Sequence, residues 1–285
     1  MKTNLSEGGN VFKNETDALT QRIATADVDS TVDFIEKITD LDFTSEKDDE
    51  GKPSARLGTT GRKEKPDGTF EENSSGDLDL SVDLNKVSKD EVIAKLTKWC
   101  KSQGIKDEDI MNVGRKKTDG WIKDAGDQVH FRAPINGSKE NGFVQTDFMF
   151  SKNVNFQRGS MIGGSGQYRG EHRHIVLSSI ARARGIKYSP KFGLVDPETN
   201  EPLPNGDDWN SIAKQLLGQS ATVADVKSVD AIINYIKKLP NYEELISSAR
   251  ETLARYDIEL PKKEAIESYQ PGSIGWMRSM IDIVK

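Results

Sequence analysis

The chain has 285 residues and a net charge of −6, with 34% hydrophobic residues, 30% charged residues and a single cysteine, Cys100. That length can bury the core of one large domain or two modest ones, and a lone cysteine excludes an intramolecular disulfide and thiolate zinc sites of the usual spacing. No run approaches the roughly 18 apolar residues of a membrane span, the opening MKTNLSEGGN lacks the apolar core of a secretory signal, and an acidic chain is a poor general nucleic-acid binder; a soluble cytoplasmic protein is expected, with no membrane partner.

Charge is spread unevenly. Residues 1–50 hold 13 acids against 5 Lys or Arg, and residues 1–28 are expected to form a loose N-terminal segment. Over 29–39, DSTVDFIEKIT places Val32, Phe34, Ile35 and Ile38 at near-helical spacing behind Asp29 or Ser30 as cap. An acidic loop follows, then RLGTTGRK at 56–63 and a polar stretch around Pro66 to Gly68. Ser75 to Leu84, SGDLDLSVDL, alternates strictly and predicts a strand. Residues 88–101, SKDEVIAKLTKWCK, carry a Ser-x-x-Glu capping box and predict a helix. Residues 128–133 and 143–150 predict a hairpin across PINGSKEN, with Asn-Gly at the turn.

Beyond the hairpin lie a glycine-rich stretch at 159–170 and a predicted helix, EHRHIVLSSIARARG. Residues 157–191 hold Arg158, Arg169, Arg173, Arg182, Arg184, Lys187 and Lys191 against Glu171 alone, a segment suited to anions. Further helices are predicted over 209–217, 223–239, 242–256 and 274–284. The chain therefore reads as a mixed α/β (α+β) half followed by a mostly helical half, with domains at 29–156 and 157–285.

Period-two geometry sends Asp77, Asp79, Ser81 and Asp83 to one face of their strand and Leu78, Leu80, Val82 and Leu84 to the other. Like charges on one strand face repel. Either this is a solvated edge strand that deters pairing, or a hard cation such as Mg²⁺, which takes oxygen ligands, screens the acids. Upstream, Gly58, Thr59, Thr60, Gly61, Arg62 and Lys63 combine small residues, hydroxyls and cations suited to phosphate oxygens, without Walker spacing; a simple turn is the alternative. Downstream, Asp147 interrupts the apolar strand GFVQTDFMF, where an unpaired carboxylate is costly. His130, His172 and His174 are expected at the surface or near phosphate, and Cys100 in a structural role.

Gly58-Thr59-Thr60, then Asp77-Leu78-Asp79, then Asp147 on a later strand resemble the pattern of the DNA polymerase beta-like nucleotidyltransferase superfamily, with Thr59 where that pattern usually has serine. The resemblance covers residues 30–150; the glycine-rich loop and basic helix are similar to those of phage-borne members. It implies a mixed sheet flanked by helices, two Mg²⁺ ions, a nucleoside triphosphate donor and release of pyrophosphate. Asp77, Asp79 and Asp147 would be the catalytic metal ligands. Gly58, Thr59, Thr60, Arg62, Lys63, Arg173 and Lys187 would meet the nucleotide, and Tyr188 could stack on its base. The acceptor is left open among an RNA end, a nucleotide, a small molecule and a protein side chain. A second expectation is a non-catalytic binding or assembly module that keeps this fold.

Overall fold

Leu78, Leu80 and Val82 are buried on one face of the strand Asp77–Asp83, and the aspartates alternate with them on the other. The structure, a computed structural model, describes residues 11–14, 16–47, 53–58, 74–113, 119–161, 168 and 170–262. The chain groups into two units, Met1–Gly170 and Glu171–Lys285. The helix Val154–Met161, which straddles the boundary expected from the sequence, belongs wholly to the first.

In the first unit the strands are β1 (Ile23–Ala24), β2 (Arg56–Leu57), β3 (Ser74–Ser75), β4 (Asp77–Asp83), β5 (Met111–Val113), β6 (Ile122–Ala125), β7 (Gln128–Pro134) and β8 (Phe143–Ser151). Six of them form one mixed sheet in the order β2-β4-β8-β7-β6-β5, with β4 parallel to β8 and β7 antiparallel to it. β1 and β3 pair separately. The helices are α1 (Thr25–Thr39), α2 (Lys89–Ser102), α3 (Asp107–Ile110) and α4 (Val154–Met161).

Val32 and Ile35 of α1, and Val92, Leu96 and Cys100 of α2, share one core with Leu78, Leu80, Val82, Phe131, Val144 and Phe148 of the sheet. Each of the Val, Leu, Ile and Phe side chains contributes about 1.5–3 kcal/mol through burial. The opposite face of the sheet therefore carries the polar half of every alternating strand. α4 lies on that face, where Ser81 Oγ donates to Gln157 Oε1 at 2.6 Å and Gln157 Nε2 donates to the Met149 carbonyl at 3.1 Å.

The capping box at Ser88 and Glu91 is present as expected, and so is the β7–β8 hairpin, with Asn136 in the left-handed region at its turn. Three differences are informative. α1 begins at Thr25 rather than at Asp29 and has no side-chain cap; its first turn is held tertiarily, Asn136 Nδ2 donating to Asp27 Oδ1 at 2.8 Å. The segment expected to be loose contributes Phe12 and Ile23, both fully buried. Finally, β4 is bonded to β2 on one side and β8 on the other, so it is no edge strand and its acids do not serve as an edge deterrent.

The second unit holds α5 (Gly170–Ala183, with its first residue at the division), β9 (Lys187–Ser189), β10 (Gly193–Val195), α6 (Trp209–Leu217), α7 (Val229–Ile236) and α8 (Tyr242–Ala254). The continuous helix expected over 223–239 is broken: Val223–Val226 is a 3₁₀ turn, and Ser228 caps α7 by accepting from the Ala231 N–H. A serine whose oxygen takes a backbone N–H competes with helix continuation. The helix expected at 274–284 lies outside the described residues. No helix among the described residues is long and apolar enough to cross a membrane.

Candidate metal centre

β4 presents Asp77 and Asp79 to the polar face one pleat apart, and the parallel register sets Asp79 directly opposite Asp147 on β8. Asp77, Asp79 and Asp147 each offer an oxygen, and these oxygens lie within 4.8 Å of one another. Asp147 is only 7% exposed. β2 ends beside them: Leu57 pairs with Asp79, and the chain turns at Gly58 with φ of +55°. A Cβ on Gly58 would stand 3.0 Å from Asp79 Oδ2, so the bare backbone is what fits against that carboxylate.

Asp147 is supported on both oxygens. His130, its cross-strand partner on β7, brings Nδ1 to 2.8 Å from Oδ1, and Gln145 Nε2 donates to Oδ2 at 3.0 Å. Burial, together with the charges of Asp77 and Asp147, pushes the Asp79 carboxyl well above the usual carboxylate range. Three acids brought together at this cost form an oxygen-only donor set. Such a set could hold a metal ion and suits a hard divalent cation rather than a thiophilic one.

The three aspartates singled out by the sequence are thus brought together, and Gly58 with them. Thr59, Thr60, Arg62 and Lys63 lie outside the described residues, as does Arg169. Arg173, Lys187 and Tyr188 belong to the second unit. There Arg173 is 2% exposed, donates to the Lys227 carbonyl at 3.1 Å and covers the Trp209 ring at 4.9 Å. Tyr188 is buried, its ring stacked on His174 at 5.8 Å and its hydroxyl 3.0 Å from His174 Nδ1. An open base platform at Tyr188 therefore gives way to packing within that unit. Lys187 is exposed, with Asn200 Oδ1 as its partner.

Of the two places expected for His130, surface or near phosphate, the surface is corrected, since like His172 it is buried. The signal for His130 was present in QVHFRAP, where Gln128, His130 and Arg132 alternate with Val129, Phe131 and Ala133. Its pairing with Asp147 depends on the hairpin register, which composition does not reveal. Gln145 was overlooked because glutamine on a polar strand face is ordinarily solvent-facing.

No family model, curated protein or solved structure shows a significant match to the chain.

Proposed function

We propose that the chain is a Mg²⁺-dependent nucleotidyltransferase of the polymerase beta-like type, moving a nucleoside monophosphate from a nucleoside triphosphate to a hydroxyl acceptor with release of pyrophosphate. The observation that carries this is the register of Asp79 against Asp147, with Asp77 one pleat away and the Gly58 backbone closing on Asp79. Asp77 and Asp79 would hold two ions in common, and Asp147 one of them. Bound there, divalent cations lower the pKa of an attacking hydroxyl and neutralise charge on the phosphates. The chain's own part is to fix the three carboxylates, with the bare Gly58 backbone held against Asp79.

The test is thermal shift with each of the four common NTPs, with and without Mg²⁺, for the wild type and for Asp77→Ala/Asp79→Ala. A Mg²⁺-dependent rise with at least one NTP, absent in the double variant, is expected. No rise under any condition would overturn the donor site and leave the binding-module alternative.

A further inference from the structure

Asp147 is contacted at both carboxylate oxygens, at one of them through a two-bond relay. The Val11 main-chain N–H donates to Gln145 Oε1 at 2.9 Å, Gln145 Nε2 donates to Asp147 Oδ2 at 3.0 Å, and His130 Nδ1 lies 2.8 Å from Asp147 Oδ1. Gln145 is 3% exposed and His130 6%, so neither bond competes freely with water. An amide has one acceptor end and one donor end. With its oxygen held by Val11, Gln145 must turn its NH₂ toward Asp147. The acceptor role proposed for the Asp147 carboxylate assigns the hydrogen of the His130 contact to Nδ1.

We propose that His130 and Gln145 are positioning residues that fix the Asp147 carboxylate for cation binding, and that the N-terminal segment sets Gln145 through Val11. This rests on the metal-dependent function proposed above. Each carboxylate oxygen accepts in about two directions; on Asp147 a protein donor occupies one direction at each oxygen. The remaining directions are then fixed relative to Asp79, its partner in the register. Phe12, fully buried beside Val11 in sequence, anchors the segment that supplies the donor.

The experiment titrates Mn²⁺, as the probe ion, into the full chain and follows free Mn²⁺ by electron paramagnetic resonance. The wild type is compared with Asp79→Asn, His130→Ala, His130→Asn, Gln145→Leu and Val11→Pro, each checked for folding by circular dichroism. Outer partners of metal ligands typically change affinity about 10–100-fold, and His130→Ala and Gln145→Leu are expected to raise the Mn²⁺ Kd by about that much. His130→Asn, whose amide NH₂ can replace Nδ1–H, is expected to recover most of the loss. Val11→Pro, lacking the main-chain donor, is expected to shift the Kd in the direction of Gln145→Leu.

Mn²⁺ binding that is lost in Asp79→Asn yet unchanged in His130→Ala and Gln145→Leu would overturn the positioning roles and leave the metal site standing. Loss in His130→Ala without recovery in His130→Asn would make His130 a packing residue only. An unchanged Val11→Pro would remove the N-terminal segment from the relay. Absence of wild-type binding would overturn the metal site and the positioning together.

Discussion

Asp79 stands opposite Asp147 in the parallel register of β4 and β8, so two carboxylates occupy one sheet face a strand spacing apart, roughly 4.8 Å. The folded protein raises the Asp79 pKa above its ordinary value of 3.8. Between that value and the raised one, the folded state binds more protons at Asp79 than the unfolded state does. Stability of the metal-free protein from this group is therefore present at low pH and is lost as pH rises through that window. We predict that Asp79→Asn is more stable than wild type at neutral pH in EDTA, and that the two converge in acid. Urea unfolding midpoints across pH check this. Equal midpoints at neutral pH would mean that the repulsion is relieved without metal. Mg²⁺ should stabilise the wild type and not the variant, because only ligand binding to the folded state shifts the midpoint.

Ser88 and Glu91 close the start of α2, the Glu91 N–H donating to Ser88 Oγ and the Ser88 N–H to Glu91 Oε2 at 2.8 Å. α2 carries Val92, Leu96 and Cys100 into the core, so a frayed first turn loosens packing as well as capping. Ser88→Ala is expected to cost about 1 kcal/mol, read from the urea midpoint at unchanged slope. A loss below about 0.3 kcal/mol would mean that tertiary packing alone holds the helix start.

Strand β4 and helix α2 were legible because each satisfies its own period and its own boundary signals. Strict alternation fixed which face of Asp77–Asp83 carries the acids, and Ser88 with Glu91 fixed where α2 starts. The apolar spacing predicts α1 from 29, four residues past its start at Thr25, because that start rests on Asn136 far along the chain rather than on a local cap. β5 and β6 went unseen: at three and four residues they are too short to show a period. The site divides in the same way. Asp77 and Asp79 share a strand, so one pleat suffices to align them, and Asp147 is recognisable as an acid in an apolar run. His130 and Gln145 act only through β7–β8 register and an N-terminal donor, which are long-range facts.

Cys100 is fully buried in the α2 face of the core, and burial pushes its thiol up to about 12. The thiolate is the reactive form, so the folded protein at about pH 8 is predicted to be inert to a disulfide reagent such as dithionitrobenzoate and to react with one equivalent once unfolded in urea. Rapid labelling of the native protein would show that α2 opens readily. Cys100→Ala is expected to lose stability by about 1 kcal/mol, chiefly through the small cavity it leaves.

Gly58 and Gly104 separate backbone strain from the metal site. Both adopt positive φ, +55° and +73°, but a Cβ on Gly104 would meet nothing within 4 Å, whereas one on Gly58 would stand 3.0 Å from Asp79 Oδ2. An L-residue in the left-handed region costs roughly 1–2 kcal/mol wherever it occurs, so Gly58→Ala and Gly104→Ala should lose similar stability. The carboxylate contact adds a second effect at Gly58 only: Asp79 must shift by a few tenths of an ångström, and it is the residue in register with Asp147. We predict that Gly58→Ala weakens Mn²⁺ binding about 10-fold while Gly104→Ala leaves it unchanged, with both variants matched in urea midpoint. Equal Mn²⁺ affinities in the two variants would show that Asp79 can move without loss, and would detach the Gly58 turn from the carboxylate cluster.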